Sequence, residues 1–253
     1  MKTIWITGGS SGIGFASAKK FLDENWRVII SSKNNERLEK AKSLLIKESK
    51  NKEIYAIKCD IINKKEVENS IKKIINEISN IDIALLNAAA YSPNKSQEFN
   101  IENYELLIDV NLKGTLYCID ILKEYMTKNN GGHIALVSSP VGYRGLPTAG
   151  AYGLTKAGLI NLAESLFFDF KKLKIKISVI NPGFIQTNST NLNAFPMPFI
   201  KSAEFAANKI YLGLVKSYKF EIIFPKFFLF ILKIGRILPY KLYFYLVSKI
   251  TKL

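Results

Sequence analysis

Over most of the chain, short β-branched runs alternate with longer segments whose apolar residues return at helical spacing. The runs 3–7 (TIWIT), 27–31 (RVIIS), 53–58 (EIYAIK), 82–86 (IDIAL), 133–138 (HIALVS), 175–180 (IKISVI) and 219–224 (KFEIIF) have the length and composition of strands. Between the first six lie the segments 12–24, 34–49, 63–78, 101–128 and 150–172. In the second of these Leu38, Ala41 and Leu45 fall on one face, and in the third Val67, Ile71, Ile74, Ile75 and Ile78 do the same. Strands that alternate with helices predict βαβ units and a parallel sheet. Right-handed crossovers then make it doubly wound. The expectation is one α/β domain of seven strands over residues 1–224, followed by a distinct extension, 225–253. No internal repeat or low-complexity linker interrupts the pattern.

Composition narrows the class. Of 253 residues, 48% are apolar, enough for a single large core. Cys59 and Cys118 lie in apolar stretches without metal-ligand spacing, as buried thiols in a reducing compartment do, and no metal is expected. The chain opens on strand-like residues rather than a charged and then apolar leader, so the expected location is cytoplasmic. The net charge of +15 comes from lysines scattered among Asn and Glu, with no zinc-finger spacing and no arginine-rich helix. A nucleic-acid partner is therefore not expected. His133, the single histidine, follows Gly131-Gly132 at the start of a strand and reads as a strand-end residue.

The densest chemical signal follows the first strand: Thr7-Gly8-Gly9-Ser10-Ser11-Gly12-Ile13-Gly14. A strand that ends at Thr7 and a helix that opens near Gly12 aim backbone N–H groups at one point, which suits a pyrophosphate. Glycine lets the turn form and the phosphates approach, and Ser10 and Ser11 offer hydroxyls to the same anion.

TGGSSGIG resembles the TGxxxGxG fingerprint of the short-chain dehydrogenase/reductase family, a Rossmann-fold family, and further elements fall in that family's order over about residues 1–225. Asp60 and Ile61 follow the third strand, where the resemblance implies contact with adenine. Asn87-Ala88-Ala89 resembles the end of the family's NNAG element, although Leu86 replaces its first Asn and Ala89 its Gly. Asn111 lies midway along 101–128, Ser139 ends the fifth strand, and Tyr152-Gly153-Leu154-Thr155-Lys156 matches YxxxK. Pro182-Gly183-Phe184-Ile185-Gln186-Thr187 matches the PG element with its downstream Thr, which places Pro182, Gly183, Ile185 and Thr187 at the cofactor.

The resemblance implies an oxidoreductase that moves a hydride between a nicotinamide cofactor and a carbonyl or hydroxyl carbon. Tyr152 and Lys156 stand four apart on one helical face, so an ammonium near the phenol is expected to lower its pKa toward the range of acid–base work. By the same resemblance Lys156 also holds the nicotinamide ribose, Ser139 bonds the substrate oxygen, and Asn111 anchors a water relay. A non-catalytic NADP(H)-binding sensor or scaffold is the competing class, but it has no need of this acid–base set. At the end of the second strand, Ile30-Ser31-Ser32-Lys33-Asn34 carries no acid for a ribose 2′-hydroxyl. Lys33 offers a cation instead, which favours NADP(H) over NAD(H).

Phe195-Pro196-Met197-Pro198-Phe199 fits either a lid over an apolar substrate or a loop packed on its own core. After Glu221 no acid occurs, whereas six Lys or Arg do, and Pro239 divides the extension into two helical halves. On a helical projection Lys226, Lys233 and Arg236 cluster, as do Lys241, Lys249 and Lys252. This pattern fits an interfacial membrane contact with lysines toward headgroups, and also a helical pair covering the enzyme or a partner. A lipid-like small-molecule substrate and a homodimer paired through Leu159, Leu162, Leu166 and Phe170 complete the expectations.

Overall fold

The computed structural model describes residues 1–92, 99–192 and 197–251, apart from the side chain of Phe228; Phe195, Pro196 and Lys252 fall outside them. Seven strands form one parallel sheet: β1 (Thr3–Thr7), β2 (Arg27–Ser32), β3 (Ile54–Lys58), β4 (Ile83–Leu86), β5 (Gly132–Val137), β6 (Ile175–Pro182) and β7 (Glu221–Phe224). Their order is β3-β2-β1-β4-β5-β6-β7. The chain reverses direction across the sheet between β1 and β4. At such a switch the strands' C-terminal ends open a crevice, the usual ligand position in doubly wound sheets.

Alternation along each strand separates two cores. Ile4 and Ile6 of β1, with Val28 and Ile30 of β2, pack on α1 (Gly12–Asp23), α2 (Asn35–Glu48) and α7 (Ala203–Tyr211). Trp5 and Ile29 point the other way, toward α3 (Lys64–Glu77), α5 (Gly114–Lys128) and α6 (Gly150–Asp169). A sheet buried on both faces needs apolar residues at every position, which is why its strands read as unbroken hydrophobic runs. Asparagine marks several helix starts: Asn34 accepts the Arg37 N–H at 2.8 Å, and Asn63 accepts from Lys65 and Glu66 at 3.0 and 3.2 Å.

Two elements differ from the sequence pattern. The segment read as one helix, 101–128, is α4 (Ile101–Leu107), a π-helical turn (Ile108–Lys113) and α5. Apolar periodicity does not register one extra residue in a turn. The extension forms α8 (Lys226–Ile234) and α9 (Tyr240–Thr251), joined by a 3₁₀ turn and Pro239.

Candidate active site

The glycine-rich turn lies at the C-terminal end of β1. Gly8 and Gly12 have φ of +65° and +54°, which a side chain would strain. A Cβ on Gly14 would collide with the Gly8 carbonyl oxygen and stand 2.7 Å from Asn87 Nδ2. Asn87 itself donates to the carbonyls of Thr7 (3.1 Å) and Gly8 (3.2 Å), while Thr7 Oγ1 accepts the N–H groups of Asn87 and Ala88 at 3.0 and 3.1 Å. Asn87 thus holds the turn in shape. Ser11 is the N-cap of α1, yet its exposed hydroxyl caps no backbone N–H. The first-turn amides of a twelve-residue helix, an uncommitted hydroxyl and a cradle that Cβ atoms would fill all fit a dinucleotide's phosphates.

Other candidate residues sit along the same sheet edge. A Cβ on Gly12 would lie 3.1 Å from Thr187 Cγ2, so the segment after β6 comes over the turn. Pro182 ends β6, and the Gly183 N–H donates to the Phe224 carbonyl at 2.8 Å. Ile185 is buried and bridges Lys201. Asp60 and Ile61 follow β3, and the Asp60 carboxylate accepts the Ile62 N–H at 3.3 Å. Ser32 closes β2 half-buried, with Lys33 exposed beside it; Ser10 and Ile13 are half-buried in the turn. Leu86 is a core residue of β4, which accounts for an apolar side chain there, and Ala89 is exposed.

Asn111 sits in the π-helical turn and is buried. It accepts the Ala90 N–H at 2.7 Å and donates to the Ala90 carbonyl (3.0 Å) and to Thr155 Oγ1 (3.1 Å). Thr115 Oγ1 donates to the Asn111 carbonyl at 2.8 Å. The side chain therefore ties the strand that follows β4 to α6. The side chain expected at a water relay is thus committed to this clamp.

Ser139 follows β5, and Tyr152 lies in the first turn of α6. Ser139 stands beside the Tyr152 phenol, and its hydroxyl accepts the Val141 N–H at 3.5 Å. Tyr91 stands edge-on to Tyr152 with ring centroids 4.8 Å apart. Lys156 is buried, donates from Nζ to the Val137 carbonyl at 2.9 Å, and lies 5.4 Å from the Tyr152 ring centre. Burial pushes the Tyr152 phenol up, with Tyr91 adding to it and Ser139 opposing. Burial alone lowers Lys156 to about 7. The expected depression of the phenol by the ammonium is not found: desolvation raises the one and lowers the other. What results is a neutral phenol beside a serine, a group able to donate a proton.

His133 is remote from this edge. It lies near the start of β5, Nε2 is 2.8 Å from Ser178 Oγ, and burial lowers it to about 4. Among the described residues no group of three or more His, Cys, Asp or Glu could hold a metal.

Residues 2–194 match the family model described as short chain dehydrogenase. The chain belongs to the short-chain dehydrogenase family. Curated relatives are oxidoreductases: one of Staphylococcus epidermidis is 30% identical over 189 residues, covering 75% of this chain and 80% of that protein. One of Staphylococcus aureus is 28% identical over 185 residues, 73% and 78% of the two chains. Both are described as uncharacterized. Among solved structures, ElxO with NADP bound superposes with a TM-score of 0.79 at 26% identity, covering 88% of this chain and 97% of that one. Its tyrosine-to-phenylalanine variant with NADPH bound gives 0.80, also at 26% identity, with 88% and 96% covered. As a member of this family the chain is an enzyme with a Rossmann domain that binds a nicotinamide dinucleotide and acts on small molecules.

Sequence reasoning passed over Thr7, Ser138, Thr155 and Tyr91. Ser138 Oγ donates to the Lys156 carbonyl at 2.7 Å and fixes α6 against β5. Thr7 and Thr155 lie inside recognised motifs, so proximity was the available signal. Tyr91 carried none.

Proposed function

We propose that this protein is an NADP(H)-dependent ketone reductase or alcohol dehydrogenase for a lipid-like substrate, with Ser139, Tyr152 and Lys156 as its reacting groups. The observation that carries the reading is Tyr152 in the first turn of α6 with Ser139 beside its phenol and Lys156 buried one turn further on, Nζ on the Val137 carbonyl. When bound, the nicotinamide supplies a hydride to the carbonyl carbon. Tyr152 donates its proton to the carbonyl oxygen as charge develops there, and Ser139 holds that oxygen in place. Lys156, at about 7, exists in both protonation states near neutral pH and can return a proton toward the phenol. Asn111 positions α6 through Thr155. Asp60, Ile61, Ala88, Ala89, Ile185 and Thr187 complete the dinucleotide site.

The absence of an acid at Ser32, with Lys33 next to it, supports NADP(H); so does the NADP held by ElxO. The apolar substrate rests on Met197 and Phe199 from the stretch after β6 and on the hydrophobic extension 225–253, which we propose touches a membrane peripherally from the cytoplasmic side. No helix among the described residues is long and apolar enough to cross one. We also propose a homodimer, but not through the face inferred from periodicity. Leu159 and Phe170 are core residues, and Leu162 and Leu166 pack partly against the core, whereas Leu116, Leu154 and Phe168 are exposed on the same helices.

The test is NADPH consumption across a panel of lipophilic ketones, with NADH in parallel. Tyr152→Phe should keep NADPH binding, read by fluorescence, while turnover falls roughly 10²–10⁴-fold. A Tyr152→Phe variant that keeps both binding and wild-type turnover would overturn the assignment.

A further inference from the structure

On a helical projection the three cations of α8 and its 3₁₀ turn form one stripe, and an interfacial helix would point that stripe at headgroups. The structure turns Lys233 inward and leaves Arg236 exposed at the edge of α6. Lys233 pairs with Glu221, which also accepts Tyr143 Oη (2.6 Å) and Asn181 Nδ2 (3.0 Å). Arg236 lies 3.9 Å from Glu164 of α6. Leu229 is fully buried and Leu232 packs on the core. The opposite face therefore points away from the enzyme. Phe227, Phe230, Ile231 and Ile234, at i, i+3, i+4 and i+7, lie within roughly 100° of one another on the helix. They are 71%, 61%, 50% and 41% exposed, and Ile237 after them is 81% exposed.

We propose that this outward stripe of α8 is the element that enters an anionic lipid surface, and that Lys233 fastens the helix to the enzyme rather than binding headgroups. The inference rests on the peripheral membrane contact proposed above and assigns its geometry. Charge identifies the occupant. No acid follows Glu221, and Lys226, Lys241 and Lys249 are exposed around the apolar residues. Tyr240, Phe244 and Tyr245, also exposed, have the amphipathic rings that settle at headgroup level. A second copy seated on the same stripe would set these lysines against their equivalents, within a chain of net charge +15. An anionic bilayer takes up the apolar stripe and the cations together.

The experiment uses the full chain and sedimentation with phosphatidylglycerol–phosphatidylcholine vesicles, with phosphatidylcholine alone as control. Wild type should pellet with the anionic vesicles and not with the control. Phe230→Glu and Ile231→Glu, both at exposed positions, should each weaken partitioning about tenfold or more while leaving the thermal midpoint unchanged. Lys233→Gln should lower the midpoint yet pellet like wild type. If wild type does not pellet, membrane contact and this assignment both fall. If wild type pellets and the two glutamate variants pellet equally, contact survives and the assignment is overturned. Equal binding to both vesicle types refutes the anionic preference. A drop in light-scattering mass with Phe230→Glu would mean that a second copy covers the stripe, which also overturns it.

Discussion

Lys156 is 2% exposed, and its ammonium has given up water for a single carbonyl, that of Val137. Its folded pKa, about 7, lies below the 10.5 of a free lysine, so between these values the unfolded chain binds more protons. Stability then rises with pH across this window, by at most about 1.4 kcal/mol per pH unit from this one group. Below pH 7 the cost of the buried charge is fully present. Above pH 10 the raised phenol of Tyr152 acts the opposite way, because the unfolded tyrosine ionises first. Denaturant midpoints between pH 7.5 and 9.5 should climb in wild type and climb less steeply in Lys156→Met. Parallel curves would disprove the shift. Glycine gives the other residue-scale test. Gly14→Ala puts a methyl against the Gly8 carbonyl and Asn87, and NADPH affinity should fall about tenfold or more. Gly153→Ala meets nothing closer than 3.6 Å and should leave affinity unchanged.

At the scale of elements, the segment between Ser139 and Tyr152 is held from outside the sheet. Arg144 donates to the carbonyls of Gly235 and Leu238, the latter at 2.7 Å, and its guanidinium lies 4.0 Å from the Tyr243 ring centre. Tyr243 Oη donates to the Gly145 carbonyl at 2.6 Å. One cation thus joins the 3₁₀ turn, α9 and the segment between Ser139 and Tyr152. Arg144→Ala should cost roughly 1–3 kcal/mol and speed deuterium uptake in both 140–150 and 226–251. Faster uptake in only one of the two segments would show that they are not coupled. The π-helical turn acts at the same scale: its irregularity directs Asn111 at Ala90 and Thr155, a place where such turns often serve function.

For the whole molecule, the extension is both covering and surface. It buries Leu229 and Tyr243 against the domain and supplies Lys233 to the Glu221 network. Deletion of 225–253 should therefore lower the unfolding midpoint as well as abolish vesicle binding. Unchanged stability would mean that these contacts are absent in solution. The proposed dimer is separable from this. Leu116→Glu with Phe168→Glu should halve the light-scattering mass without touching vesicle binding, since both residues lie on α5 and α6 rather than on the extension.

The order of strands and helices, the parallel sheet and the glycine turn between β1 and α1 were all legible in sequence, because each is set by local periodicity or by residue spacing within a few positions. Burial on both faces explains why the strands read so clearly. The spacing of Tyr152 and Lys156 was equally local, but their protonation was not. It depends on burial in the folded chain and, for Tyr152, on Tyr91 and Ser139, and it runs against the simple pairwise expectation. The Asn111 clamp spans 21 and 44 residues, the Arg144 clamp 91 and 94, and neither leaves a periodic trace. The helical projection likewise grouped the cations of α8 without showing which way they faced. Only the positions of Glu221 and of the surface that buries Leu229 decided that, since a helix turns toward whichever surface buries its apolar residues and pairs its charges.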